Sequence, residues 1–433
     1  MWRRIHELLL HTADLHIGAF GGRHLKYANL HAFEKIVEYA LTEDIGYVVI
    51  AGDLFEKPRI ENYELLLRVI KGFRMLRDNS VYTVVVPGSH DSSISRQDLL
   101  AVLEHAGLVN IPRYHTGRDG IMYLEPLKLG DLVFYGLPGL RNNRELEYLE
   151  SRRLRFKDLD TSRVNVFIAH TSVKFAGYDP EKYYWRYSKA VIAHDRALMA
   201  IPGTVKYIAL GHIHYPIPLF HEAEGNIAYP GTPVGRDMDD LLQTYKLRQE
   251  GWDRRFLLVD VYRDKPLMKS IFNGFGVEIA YDRIVYTSEK DVLDYAKKLA
   301  RDLGGEFKVV LMTIDKLPRD KYSTLIQELS RLEREYKTVF HIRETGLEEV
   351  FLPEITLITP PENREELELA AIRDFVSKKG LKIEPEKIKA ILDIVGEERT
   401  SDVKKTEFIE KLYKDIEPIL EEIVDELPPQ QHS

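Results

Sequence analysis

Residues 47–55 read YVVIAGDLF. A short, β-branched and aromatic run, Tyr47–Ala51, leads straight into Gly52-Asp53. Such a run, stopped by glycine, reads as a strand buried on both faces. The aspartate lies where the strand ends. The pattern recurs along the chain. Glu7–His11 runs into Asp14-Leu15-His16, and Val81–Val86 into Pro87-Gly88-Ser89-His90-Asp91. Val164–Ala169 ends at His170, and Val205–Leu210 ends at Gly211-His212-Ile213-His214. Leu132–Gly136 and Phe256–Val261 are two further runs. Between them, Leu30–Asp44, Asn62–Arg77, Arg96–Ala106, Arg144–Arg155 and Ser188–Met199 read as helices. This alternation predicts an α/β domain over residues 1–265, with helices covering sheet faces. Ligands in such domains sit beyond the carboxyl ends of strands.

Five strand ends thus present Asp, His, Asp, His, Asp, His, His and His to one edge. Singly each is a weak signal; together they point to a dinuclear metal site. Two divalent ions roughly 3.5–4 Å apart need several carboxylates and imidazoles, one of them shared. Mixed nitrogen and oxygen ligands without sulfur suit Mn²⁺, Fe²⁺ or Zn²⁺ better than Ca²⁺ or Mg²⁺. Gly52, Gly88 and Gly211, beside these residues, allow tight turns and close backbone approach.

The whole chain has 433 residues, 61 basic against 69 acidic, for a net charge of −8. That excludes a globally basic nucleic-acid binder but leaves local patches, or metals that neutralise phosphate. The absence of cysteine removes disulfides, thiolate metal sites and cysteine nucleophiles. No apolar run approaches the roughly 20 residues that span a bilayer, and no signal h-region is evident. The expectation is a soluble, cytoplasmic protein without membrane partners.

Residues 275–345 read as a small α+β unit: strand Arg283–Thr287, helix Glu289–Leu303, strand Lys308–Ile314, helix Arg319–Tyr336 and strand Thr338–Arg343. It contains no catalytic cluster. A linker over 346–362 follows, then a helical module over 363–427. There Ile388, Ile391, Leu392 and Val395, and Ile409, Leu412, Ile416, Ile419, Leu420, Ile423 and Leu427, form apolar stripes. The tail 428–433 is expected to be disordered. Helix Asn62–Arg77 is apolar on more than one face, and its surplus calls for a partner. Lys182–Lys189 (KYYWRYSK) and the run Arg152, Arg153, Arg155, Lys157 are weaker candidates for nucleic-acid contact.

The order of Leu10–Gly18 (LHTADLHIG), Ile50–Phe55 (IAGDLF), Pro87–Asp91, His170, Leu210–His214 (LGHIH) and Tyr229–Pro233 (YPGTP) resembles the calcineurin-like metallophosphoesterase superfamily. Within it, these motifs resemble the SbcD-type nuclease subunits of the double-strand-break repair complex. The resemblance implies a four-layer α/β/β/α metallophosphoesterase domain, then a capping domain and a helical module that binds an SMC-like coiled-coil ABC ATPase. It implies DNA as substrate, a homodimer, and two divalent ions, with Mn²⁺ expected first. One metal would be held by Asp14, His16 and His214, the other by His170, His212 and Ser89, with Asp53 bridging. A bridging hydroxide would attack phosphorus in line. His90 would stabilise or protonate the leaving oxygen, and Asp91 would orient its ring.

Two positions depart from the family. Ser89 stands where a ligating Asn is usual, which predicts weaker hold on the second metal. Glu56 stands where family members often carry His near the DNA; it would either repel phosphate or point to solvent. The alternatives are therefore a scaffold subunit with weakened nuclease activity, or a phosphoesterase for nucleotides and small diesters.

Overall fold

A computed structural model of the chain describes residues 8–21, 24–59, 62–91, 98–140, 143–174, 192–193, 199–345, 369, 372–373, 376, 383–395 and 405–425. The chain divides into two compact units, Met1–Gly346 and Leu347–Ser433. The first opens with β1 (Leu9–Thr12), α1 (Ala28–Thr42), β2 (Tyr47–Ala51), α2 (Tyr63–Asp78), β3 (Tyr82–Val86) and α3 (Leu99–His105). Then come β4 (Tyr114–Thr116), β5 (Met122–Leu124), β6 (Leu127–Leu129), β7 (Leu132–Leu137), α4 (Arg144–Glu150), β8 (Leu154–Phe156) and β9 (Val164–His170). They are followed by β10 (Val173–Lys174), β11 (Ile192–Ala193), β12 (Val205–Gly211), β13 (Glu222–Glu224), β14 (Ile227–Ala228), α5 (Met238–Gln249), β15 (Arg255–Asp260) and β16 (Leu267–Phe272).

Two sheets stack face to face. One has the order β13-β16-β15-β1-β2-β3 and the other β14-β12-β9-β7-β6. Alternate residues of each strand serve different layers, as the pleat requires. Leu9, Val49, Val84, Phe134, Ile168 and Ala209 fill the space between the sheets. Leu10, Val48, Ile50 and Val85 face outward under α1 and α2. Val133, Tyr135, Phe167 and Leu210 face outward beneath α4 and the small β4-β5-β8 sheet. Both faces of the central strands are dry, so their sequences are nearly continuous apolar runs. The result is the expected four-layer α/β/β/α arrangement.

The strands β1, β2 and β3 are parallel, as are β7, β9 and β12. Their carboxyl ends therefore gather at one edge. The two sheets meet there: Gly139 N–H donates to Pro87 O at 3.0 Å. A Cβ at Gly211 would lie 1.7 Å from Ala51 O, so only glycine permits this approach.

Residues 277–345 form a parallel three-stranded sheet, β17 (Val277–Val285), β18 (Phe307–Asp315) and β19 (Thr338–Thr345), with helices α6 (Glu289–Asp302) and α7 (Arg319–Tyr336). Val292, Ala296, Leu325 and Leu329 of the helices pack on one sheet face. Val277, Ile279, Phe307, Val309 and Val339 on the other face join the core under α1. That shared core explains why β17 begins at Val277, six residues before the expected Arg283. In the second unit, α8 (Pro385–Val395) and α9 (Lys405–Asp425) are helical, with Pro418 inside α9.

Two expected helices are corrected. Arg144–Arg155 is helical only to Glu150. Leu154 and Phe156 pair instead with Met122 and Leu124 as β8, with Leu154 buried in the second core. The helix α5 was not anticipated. Within the expected helix Ser188–Met199, the described Ile192–Ala193 form strand β11 instead, paired with Val173–Lys174 of β10. The rest of that helix up to residue 198, the segment Lys182–Lys189, the linker 346–362 and the tail 428–433 lie outside the described residues.

His11 of β1 is fully buried between the sheets. Its Nδ1 accepts from Tyr207 Oη at 2.9 Å and its Nε2–H donates to Leu210 O at 3.2 Å. Burial, aided by Arg255, pushes its pKa down to about 3 against the Leu210 hydrogen bond. The unfolded chain binds this proton near pH 6.5 and the folded chain does not. The stability His11 contributes is therefore full above pH 6.5 and is lost as pH falls from 6.5 toward 3. Thermal unfolding of metal-free protein should lose stability over that window more steeply for wild type than for His11→Gln. Parallel curves would show that His11 does not carry this charge change.

Candidate metal centre

The carboxyl end of β1 turns sharply. Asp14 N–H donates to Gly52 O at 3.0 Å and His16 N–H to Asp53 O at 2.9 Å. Asp14, His16, Asp53 and His212 all have left-handed backbone, with φ of 53°, 44°, 47° and 93°. Non-glycine residues pay for that conformation, which persists where surrounding contacts over-determine it and clusters at functional sites. Those contacts are present. Asn29 Nδ2 donates to Leu15 O and His16 O, and Thr232 Oγ1 to Asp14 O at 2.7 Å. Gly52 is itself left-handed, and a Cβ there would lie 1.9 Å from His170 Nδ1.

Asp14, His16, Asp53 and His170 are at most 2% exposed, and His214 is 9% exposed. Carboxylates only accept hydrogen bonds. His16 Nδ1–H donates to Glu56 Oε2 at 2.9 Å, and His214 Nδ1–H to Asp240 Oδ2 at 2.8 Å. In neutral rings this leaves both Nε2 atoms as lone-pair acceptors, and they face each other at 3.1 Å. Asp14 completes a group of three whose ligand atoms lie within 4.8 Å.

A second group lies beside it. His170 Nδ1–H donates to Ala51 O at 3.1 Å, so in the neutral ring, the form that can ligate a metal, Nε2 carries the lone pair. That Nε2 lies 3.3 Å from Asp53 Oδ2 and 3.3 Å from His212 Nδ1. Asp53 Oδ2 is also 3.7 Å from His16 Nε2, so one carboxylate oxygen stands between the two groups. Buried acceptors aimed at one another cost free energy unless a cation or proton lies between them. The donor set, imidazole nitrogen and carboxylate oxygen, fits divalent transition ions.

The electrostatics have the same origin. Burial works against the Asp53 charge, but His170, His16 and His90 outweigh it and hold its carboxyl well below the ordinary range. Burial raises Asp14 despite its histidine neighbours. His170 is pushed up to about 10, because Asp53 and Asp14 overcome its burial. His212 falls to about 3 through burial and the adjoining His170. Its backbone N–H donates to both oxygens of Asp14 at 3.0 Å.

His90 is partly exposed on the turn after β3. Its N–H donates to Asp53 Oδ1 at 2.8 Å, and its Nδ1–H donates to Glu56 O at 3.0 Å. Asp91 does something other than expected. Its buried carboxylate accepts from Leu54, Phe55 and Gly88 N–H at 3.2, 2.9 and 2.9 Å, tying the two turns together. Burial and the nearby Asp53 raise it to about 7, against those three hydrogen bonds. The His90 ring is oriented by the Glu56 carbonyl. Ser89 is exposed on the same turn. Its backbone N lies beside His170 across Gly139, where a Cβ would meet His170 Cδ2 at 2.6 Å and Ser89 N at 2.9 Å.

Several supporting residues had no sequence signal as site residues. Asp240 lies in the first turn of α5, whose N-cap Asp237 accepts from Asp239 and Asp240 N–H. Arg254, fully buried, donates to His214 O, Asp240 O and Thr244 Oγ1. Tyr229, in the quoted YPGTP segment, accepts from Val173 N–H and donates to Thr171 O, fixing the chain just after His170. Glu56 does not point to solvent. It bonds His16, and Arg236 Nε donates to its Oε1 at 3.2 Å. Burial opposes its charge, but His16, His90 and Arg236 prevail and lower its pKa.

A family model described as calcineurin-like phosphoesterase matches residues 8–216. The chain is similar to the DNA double-strand break repair protein Mre11 of Sulfolobus acidocaldarius, 23% identical over 94% of this chain and 99% of that protein. It is similar to the Mre11 of Aeropyrum pernix, 28% identical over 61% of this chain and 60% of that protein. It is also similar to the SbcD component of the SbcCD nuclease of Staphylococcus saprophyticus, 22% identical over 49% of this chain and 57% of that protein. The matches thus span little more than half the length of two of these relatives and nearly all of the third. Over residues 8–216, then, the chain matches a calcineurin-like phosphoesterase domain.

Proposed function

We propose that the chain is a metal-dependent DNA phosphodiesterase, the nuclease subunit of a double-strand-break repair complex. The observation that carries this reading is Asp53 Oδ2, set between two groups of buried, mutually opposed acceptors. Relatives named as break-repair proteins and as part of a nuclease supply the substrate class. Asp14, His16 and His214 would hold one divalent ion, and His170, His212 and Ser89 the other, with Asp53 shared. Two such ions, Mn²⁺ foremost, would neutralise the diester and activate the attacking water. His90, its Nδ1–H fixed on Glu56 O, leaves Nε2 to meet the phosphate and pass a proton to the leaving oxygen.

In this reading residues 1–265 catalyse, 275–345 cap the substrate side and 363–427 engage a coiled-coil ATPase. Exposed Leu392, Tyr413 and Leu420 on α8 and α9 support such docking. Tyr63, Leu67 and Met75 of α2, at 76%, 65% and 42% exposed, support pairing with a second copy of the chain. Among the described residues no helix is long and apolar enough to cross a membrane.

The exposure of Ser89, in place of a buried ligand, favours one second reading, a scaffold whose metal chemistry is weakened. Mn²⁺-dependent cleavage of end-labelled single-stranded, duplex and hairpin DNA separates the two. Wild type should cut, and Ser89→Asn should bind the second ion more tightly. Cleavage by Ser89→Asn alone would move the scaffold to the front. Turnover of a chromogenic diester with no preference for DNA would instead favour a small-diester enzyme.

A further inference from the structure

Glu56 and Asp240 do the same work on two rings. Each accepts the Nδ1–H of a histidine, His16 or His214, whose Nε2 faces the Asp14 group. One residue touches both carboxylates. Arg236 donates its backbone N–H to Asp240 Oδ2 at 2.7 Å and its side-chain Nε–H to Glu56 Oε1 at 3.2 Å. Asp240 is 1% exposed, and the Glu56 side chain is 17% exposed. The Glu56 carboxylate also lies 3.6 Å from His90 Nδ1.

We propose that Glu56 and Arg236 are a positioning pair: Glu56 fixes the His16 ring with Nε2 toward Asp14 and His214, while Arg236 holds Glu56 there and cancels its charge toward the substrate. The pair rests on the metal reading above. It also resolves the difficulty of an acid beside a phosphate-handling site. A lone carboxylate would repel the diester, whereas one shared between an imidazole N–H and a guanidinium presents little net charge. A carboxylate that orients a ligating histidine is commonly worth 10–100-fold in metal affinity.

The test is a Mn²⁺ titration of metal-free full-length protein, followed by electron paramagnetic resonance, with thermal unfolding alongside. Wild type should bind two ions. Glu56→Ala should weaken one of them by roughly 10–100-fold. Glu56→Gln, whose amide oxygen can still accept from His16, should stay nearer wild type. Arg236→Gln should weaken the ion in the wild-type background and add nothing in Glu56→Ala. In steady-state cleavage, Arg236→Gln should raise KM for DNA, and the double variant Glu56→Gln/Arg236→Gln should bring it back down, because no unpaired acid remains. That KM recovery is a change a merely structural role would not produce.

Failure of wild type to bind Mn²⁺ would overturn the metal reading and this pair with it. Two ions bound with unchanged affinity by a folded Glu56→Ala would overturn the pair alone. If Glu56→Ala does not fold, the KM comparison with Glu56→Gln decides. An unchanged KM in Arg236→Gln would then remove Arg236 from the pair.

Discussion

Asp53→Asn should abolish metal-dependent cleavage and weaken both ions at once. Asp53 Oδ2 is the atom shared between the groups, 3.3 Å from His170 Nε2 and 3.7 Å from His16 Nε2. A pair of unit charges about 4 Å apart is worth about 4 kcal/mol at an effective dielectric near 20. Losing that attraction corresponds to roughly 10³-fold in affinity for each ion, less whatever the remaining ligands and water recover. The fold should survive, because the Asn side-chain oxygen can still accept from His90 N–H, as Asp53 Oδ1 does. Calorimetric Mn²⁺ titration and the DNA cleavage rate measure the two effects. Two ions bound at wild-type affinity would show that this carboxylate is not the bridge.

His90→Ala should leave both ions bound and remove turnover, by roughly 10²–10⁴-fold, the usual contribution of a positioned acid–base group. The reason is geometric. His90 is tied to the centre by its backbone and by Nδ1, on Asp53 and on the Glu56 carbonyl. Its ring stands edge-on to His16, with centroids 5.1 Å apart. It is the more exposed of the two, with 24% of its side chain open to solvent against none for His16. The His90 ring also falls within ligand distance of His16 and Glu56. A loss of Mn²⁺ affinity equal to the loss of rate would therefore make it a ligand instead of a proton donor.

Asp91 shows how far motif spacing reaches. Its place next to His90 invites an orienting role, but a side chain adjacent in sequence need not be adjacent in space. At this turn its carboxylate faces the backbone of residues 54, 55 and 88. The ring-orienting acceptor comes from Glu56, 34 residues upstream. The α5 helix is not legible in the sequence for a related reason. Its buried residues include Asp240, Gln243 and Thr244, so it lacks a continuous apolar stripe. Asp240 and Thr244 are polar because of what they face: Asp240 holds His214, and the Thr244 hydroxyl meets Arg254.

The apolar runs and the Asp, His and Gly residues at their ends determined the strands, their common edge and the residue types gathered there; that the strands divide into two stacked sheets was implied only by the family resemblance. Period-two burial on both faces leaves a strand little choice, and parallel strands in one sheet bring their carboxyl ends to one side. Tertiary structure decided which nitrogen of each histidine faces the centre. That depends on Glu56, Asp240 and Ala51 O, partners remote from the histidines they hold. It also decided that Glu56 turns inward, because the guanidinium that offsets its charge comes from Arg236, 180 residues away. Strand identity is written in local side-chain hydrophobicity. Ring orientation and charge balance are set by contacts that exist only once distant segments have packed.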